Sequence, residues 1–490
     1  MLFNSYIFVL LFLPLCLVGY FTLNHFKFPK TAMLFLLGMS LWFYGYFNPS
    51  YLSILSVSIL INYVCYKLIK KSNTSLSQKA LMITGVLINI SILFYFKYFD
   101  FFTENINNLF KTDFPLQNIL LPLGISFFTF QQISFIVDTY KQETPEYSFI
   151  EYACFVSFFP QLIAGPIVMH KKLIPQFTDP SKKIFQWENI SRGIYMFVLG
   201  LSKKVLLADT LGKAVNWGFA SIDYLNSTDV IVIMLSYTLQ IYFDFSGYCD
   251  MAIGIARMFN IDLPLNFNSP YKAKNIAEFW DRWHMTLTQF LTHYIYIPLG
   301  GSRKGILRTY INVFLVFLIS GFWHGANWTF VLWGICHGIL MIYTKALKKY
   351  LDKIPAFVNW IFTFLFINAT WLIFRANSVK DVIKIFKIAF SGQFERINPG
   401  LAACVHSAET PFIYKLFSAV IKLPPSDTVS EWLILSVITI GMIILALKKN
   451  SYERMLNFKP TFPRLIITCL LFMWCVVSFA GVSTFLYFNF

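Results

Sequence analysis

Charge-free apolar runs, separated by short basic or proline-containing turns, set the pattern of this chain. Residues 6–23 and 357–374 contain no Asp, Glu, Lys or Arg, and a helical run of about 20 such residues is long enough to cross a bilayer core. The pattern predicts an all-α polytopic membrane protein. The first run has neither a basic leader nor a small-residue cleavage site, so it reads as a retained span rather than a removed signal peptide. Two further spans follow, joined by a turn at 48–50, then a fourth at about 80–98 and a fifth at about 118–137. These form a regular N-terminal array over residues 1–140.

Regularity then fails. Phe159-Pro160-Gln161-Leu162-Ile163-Ala164-Gly165-Pro166 interrupts the next apolar run and is followed by Lys171, Lys172, Lys182 and Lys183. A segment that begins and ends on the same side reads as re-entrant, and broken backbone at membrane depth persists only where protein or a water-filled cavity satisfies its polar groups. A core with a central cavity is therefore expected over residues 150–345. Residues 192–209, with Lys203 and Lys204 mid-run, lie around it, and 276–297 reads as a helix lying in the interface. Plain spans resume near 309–323, 328–343, 357–374, 432–447 and 465–488. The stretch 377–430, with Pro399, Pro411, Pro424 and Pro425, reads as an external loop with short helices. No soluble domain stands out, so 1–490 reads as one unit whose C-terminal spans and aromatic tail occupy 355–490.

Charge placement orients the array. Lys27 and Lys30 follow the first span, Lys67, Lys70, Lys71 and Lys79 the third, and Lys448, Lys449, Arg454, Lys459 and Arg464 precede the last. By the positive-inside rule these loops are cytoplasmic, so both termini face outward and the crossings are even in number, ten or twelve. Composition agrees with a lipid bilayer as the surroundings: 57% of residues are hydrophobic, 19% aromatic and only 13% charged, about half the charge of an ordinary soluble domain. The net charge of +16 is spread between apolar runs, not gathered in a basic block, which argues against nucleic acid as a partner. The eight cysteines are scattered without paired ligand spacing, so no metal is expected.

Ionisable groups at membrane depth are costly and mark candidate sites. His324, in Ser320-Gly321-Phe322-Trp323-His324-Gly325-Ala326-Asn327-Trp328, sits at a helix break made by two glycines and a capping asparagine. A histidine there either faces a cavity and takes a proton from a hydroxyl near neutral pH, or hydrogen-bonds between helices. Trp323 and Asn327 are candidate cavity walls. In Trp280-Asp281-Arg282-Trp283-His284, Asp281 lies three residues before His284 and either orients it or belongs to a solvated interfacial helix. Asp244 and Asp250 flank a Ser-Gly pair at the end of an apolar run, as caps or as the polar wall of the cavity. Asp250, seven residues from Arg257, suits an ion pair with it. Lys203 and Lys204 either attract an anionic phosphate or snorkel. His337 reads as structural, and His25, His170, His293 and His406 carry no assigned role. The nucleophile elbow, metalloprotease, phosphate-loop and dinucleotide motifs are all missing.

The His324 motif together with Phe279-Trp280-Asp281-Arg282-Trp283-His284 resembles the membrane-bound O-acyltransferase family. Met1-Leu2-Phe3-Asn4-Ser5, Gly124-Ile125-Ser126-Phe127-Phe128-Thr129-Phe130-Gln131, Phe159 to Pro166, Tyr242 to Asp250 and Tyr296-Ile297-Pro298-Leu299-Gly300-Gly301 resemble its bacterial alginate O-acetyltransferase branch. The resemblance implies a helical cup with re-entrant segments and a central funnel, in a bacterial cytoplasmic membrane. It implies a cytoplasmic thioester donor, acetyl-CoA, and hydroxyls of an extracytoplasmic polysaccharide as acceptor. His324 takes the place of the family's essential histidine and His284 that of a second, supporting one. Related chains often carry a basic residue where this one has Asp281. The resemblance also implies an extracytoplasmic SGNH-type esterase or transferase as partner. The ending Thr484-Phe485-Leu486-Tyr487-Phe488-Asn489-Phe490 is similar to tails in which a tyrosine acts as an acyl relay, a role that would fall on Tyr487; the alternative is an aromatic anchor in the outer interface.

Peptidoglycan O-acetylation and teichoic acid D-alanylation differ from this reading only in donor and acceptor. A lipid-linked glycan transporter with proton-relaying histidines is the rival from another class; the absence of inverted halves and the pairing of the two histidine motifs disfavour it.

Overall fold

The computed structural model describes residues 1–406, 414–415, 418, 425–481 and 485–486, and every regular element among them is helical. Helices start where a short polar side chain precedes an apolar run. Asn48, Thr74, Asn226 and Asn327 each accept a hydrogen bond from a backbone N–H of the first turn, satisfying a donor that has no partner within the helix. Among the described residues, eight helices are long and apolar enough to cross a membrane: Phe8–His25, Pro49–Lys71, Ser75–Lys97, Ser227–Met258, Ile306–His324, Trp328–Ala346, Ala356–Arg375 and Ser426–Ala446. Against the ten or twelve crossings expected, the remaining helices are shorter or broken, among them Pro29–Gly45 and Phe462–Val477. The chain is a multi-pass membrane protein.

Ser227–Met258 is the pillar of the molecule. At 32 residues it is about 48 Å long, and 83% of its apolar window is buried, against 17% for Ser75–Lys97 on the periphery. Without a hydrophobic drive between helices in lipid, close packing has to come from small residues. Glycines supply it here. A Cβ on Gly200 would lie 2.6 Å from the Gly247 carbonyl oxygen, and one on Gly254 would lie 2.7 Å from that of Gly193. Two glycines, two turns apart, thus press Trp187–Ser202 onto the pillar.

The broken segment near Phe159 is a single helical turn, Phe159–Leu162, buried along with everything from Tyr152 to Val168. Its polar backbone is satisfied by protein: Ile167 N–H donates to Thr286 Oγ1 at 3.0 Å, and Gln161 Nε2 donates to the Phe155 carbonyl at 2.9 Å.

Four elements differ from the pattern-based reading. The fifth span begins only at Ile125, because Pro115 and Pro122 hold residues 111–124 out of helix. The run 192–209 is a helix to Ser202, a π-helical turn at Lys203–Ala208 and a second helix from Asp209. Residues 276–297 do not lie in the interface as one helix: Ile276–Trp280 and Met285–Leu291 are separated by a turn that buries Trp280, Trp283 and His284. The last span ends at Val477, followed by one 3-10 turn, Ser478–Gly481, and the chain then returns to bury Phe485.

Candidate active site

His324 is the last residue of Ile306–His324, and Asn327 caps the next helix. The break between them is held close by glycine: a Cβ on Gly321 would lie 2.4 Å from the Phe330 carbonyl oxygen, and one on Gly334 would lie 2.6 Å from that of Phe317. Three aromatic rings surround the imidazole, with centroids at 5.0 Å (Trp323), 5.3 Å (Trp333) and 5.3 Å (Phe374). The helix's last carbonyls, left without intrahelical donors, meet Lys97. Its ammonium donates to the Trp323 carbonyl at 2.6 Å, to that of His324 at 3.1 Å and to Ser126 Oγ at 3.3 Å. A cation at a helix C-terminus stabilises it by about 0.3–1 kcal/mol, up to about 2 where partly buried.

His284 adopts a left-handed backbone, φ 45°, which aims its buried ring away from solvent. Of the two readings for Asp281, an orienting partner of His284 or a solvated surface residue, the structure shows the second: its side chain is exposed. Asn266 orients the ring instead: its Oδ1 accepts from the Thr286 N–H at 3.2 Å and hydroxyl at 2.9 Å, and it faces His284 Nδ1 at 3.2 Å. A backbone N–H can only donate, so that atom is the amide oxygen and His284 Nδ1 carries the proton. Nε2 is then the basic nitrogen. Trp323 neighbours both histidines, its ring centroid 6.2 Å from that of His284 and 5.0 Å from that of His324.

His337 has both nitrogens engaged. It accepts from Trp280 Nε1 at Nδ1 and bonds Thr370 Oγ1 through Nε2, a structural tie between helices. His170, given no role by sequence, is buried between Asp138 at 3.2 Å and Tyr147 at 3.3 Å.

The lysines expected to snorkel or to attract phosphate are in buried ion pairs. Lys204 meets Asp244 at 2.5 Å and Asp209 at 2.7 Å, and Lys203 meets Asp250 at 2.6 Å. Arg257 turns instead to Asp262 beyond the helix end, so the expected Asp250–Arg257 pair does not form. The π-helical turn accounts for this, since it aims two consecutive lysines at the pillar. Asp244 and Asp250 are thus paired with lysines, and the three cavities described below do not include them among their walls. Tyr487 lies outside the described residues.

A cavity of about 20 Å³, room for one water, is lined by Lys97, residues 121–127, Trp323 and His324. A larger one, about 740 Å³, is walled by Gly325, Ala326 and Asn327 together with Phe330, Phe374 and Arg375. A third, about 920 Å³, runs beside Ser426–Ala446 and Phe462–Val477 to Lys449 and Arg454. Asp209 and Lys213 belong to the walls of both large cavities.

Sequence reasoning missed Lys97, Asn266 and Arg375. Lys97 and Arg375 each stand at the end of an otherwise charge-free run, which was signal enough. Asn266 had none.

The profile described as MBOAT, membrane-bound O-acyltransferase family, matches residues 137–379. The chain is 44% identical over 417 residues, 79% of each chain, to a peptidoglycan O-acetyltransferase of Helicobacter pylori. It is 38% identical to the protein named "Probable alginate O-acetylase AlgI" of Pseudomonas putida over 400 residues, 80% of each chain. The protein of that name from Pseudomonas aeruginosa is 37% identical over 80% of this chain and 75% of its own.

Proposed function

Because this chain belongs to the membrane-bound O-acyltransferase family and is an acyltransferase of that class, we propose that it moves an acetyl group from cytoplasmic acetyl-CoA to hydroxyls of a polysaccharide outside a bacterial cytoplasmic membrane. The observation that carries the reading is His324 at its helix break, on the wall of a water-sized cavity, with the next three residues walling a 740 Å³ cavity. In this reading His324 takes the proton of an acceptor hydroxyl as its oxygen attacks the thioester carbonyl. The carbon–sulfur bond breaks, and the thiol leaves with that proton. Base catalysis of this kind contributes about 10²–10⁴ in rate.

Sidedness supports the reading. The basic runs at 67–79, 303–308, 345–353 and 448–464 fall at the same ends of alternating helices, and the positive-inside rule makes that side cytoplasmic. His324, Lys97 and Arg375 then lie toward the outside, while Lys449 and Arg454 stand at the donor side. Tyr487 is the first acceptor hydroxyl in this scheme: its phenol oxygen takes the acetyl group from the thioester, and the next acceptor's hydroxyl then cleaves the aryl ester, taking the acetyl group and returning its proton to the phenolate. Leu486, its neighbour, walls the outer cavity. The final carrier is an extracytoplasmic SGNH-type transferase, for which the exposed apolar residues Leu109, Phe110 and Leu120 offer a landing surface.

The acceptor reading favours the cell wall over an alginate-type polymer, because identity to the peptidoglycan O-acetyltransferase exceeds that to the alginate O-acetylases. The test is ester-linked acetate on purified sacculi and on secreted polysaccharide, measured in a host stripped of its own acetylase and expressing this chain with its partner. Acetate on sacculi is expected. Acetate only on the secreted polymer would return the acceptor to the alginate type, and acetate on neither, with the chain present in the membrane, would overturn the proposal.

A further inference from the structure

After its last helix the chain comes back into the molecule. Phe485 is 1% exposed, its ring edge-on to Tyr248 at 4.8 Å, and the Lys204 ammonium stands 4.6 Å from its centroid. The Leu486 N–H donates to Asp244 Oδ2 at 3.0 Å, while Oδ1 of the same carboxylate takes Lys204. The two oxygens of Asp244 are thus shared between the π-helical turn and the returning tail, and Leu486 walls the outer cavity.

A buried ion pair is an expensive way to hold an apolar peptide, because a hydrophobic pair of the same volume is often as stabilising. What the charged pair adds is register. Phe485, Leu486, Tyr487 and Phe488 are four apolar or aromatic residues in a row, and an apolar groove would accept such a strip in more than one alignment. One N–H on one carboxylate oxygen admits a single alignment. We propose that Asp244, held by Lys204, is a positioning residue that docks the returning tail at Leu486. Its consequence for transfer rests on the relay reading above; the docking itself does not.

Removing Asp244 takes one of two carboxylates from the buried Lys204 and endangers the fold, so the primary variant is Leu486→Pro, which deletes the N–H and leaves the lysine–carboxylate cluster intact. Leu486→Ala, which keeps the N–H, is its control. Deuterium uptake of the peptide covering residues 479–490 is followed in nanodiscs, beside transfer of labelled acetyl to an outer acceptor. The wild type and Leu486→Ala are expected to exchange slowly. Leu486→Pro should exchange at least tenfold faster in that peptide alone and lose at least tenfold in transfer, with KM for the donor unchanged. Wild-type uptake or wild-type transfer in Leu486→Pro overturns the proposal. A wild-type chain that transfers nothing, yet loses tail protection in Leu486→Pro, leaves the docking standing and removes the functional reading.

Discussion

At the scale of single residues, the site is two histidines facing one indole, each fixed by a different polar device. Asn266 sets the tautomer of His284, and truncating it leaves the Thr286 N–H and the imidazole without their acceptor. Asn266→Ala should cost about 1–3 kcal/mol, the price of orphaned buried groups, and slow transfer; thermal unfolding in detergent and initial rates check both. Lys97→Met should likewise slow transfer, because the carbonyls of Trp323 and His324 lose their shared donor; a rate equal to wild type would show that the ammonium only caps the helix. Tyr487→Phe should abolish acceptor acetylation at unchanged protein abundance, and a fully active variant removes the relay. His324 was legible from its own motif because glycine and asparagine advertise a helix break. Asn266 was not, since an asparagine 18 residues from its partner leaves no periodic trace. The Asp281–His284 spacing puts the two on one face only in a helix, and the helix ends at Trp280, before either of them.

At the scale of elements, plain spans were legible and interruptions were not. Pro49–Lys71 and Ala356–Arg375 announce themselves by their charge-free stretches, 49–66 and 356–374, and by the basic residues that end them. The break at Phe159 was visible through its prolines and glycine. The π-helical turn at Lys203–Ala208 has no such punctuation: it is an extra residue accommodated so that two lysines meet three carboxylates, a tertiary demand. The end of the last span at Val477 was hidden for a similar reason, as the apolar run continues while the backbone turns. Gly321 belongs to this scale, since it sets the approach of the two helices that flank His324. Gly321→Leu should destabilise the chain by about 1–3 kcal/mol, as overpacking does, with a lower unfolding temperature in detergent; an unshifted temperature would mean that the helix pair can separate without cost.

At the scale of the whole molecule, the pillar Ser227–Met258 and the two large cavities make one arrangement, with Asp209 and Lys213 common to both cavity walls. Orientation is the property on which the direction of transfer depends. A cysteine placed at Lys349 should react with a membrane-impermeant maleimide only from the cytoplasm, and one at Leu109 only from outside; the reverse pattern would invert the scheme. The most direct measurement uses proteoliposomes of oriented chain with labelled acetyl-CoA on the Lys449 side and a hydroxyl acceptor on the other. Wild-type protein should deliver acetyl across the bilayer, and His324→Ala, folded and present at equal amount, should do so about 10²–10⁴ times more slowly. Delivery by His324→Ala at the wild-type rate would contradict the account.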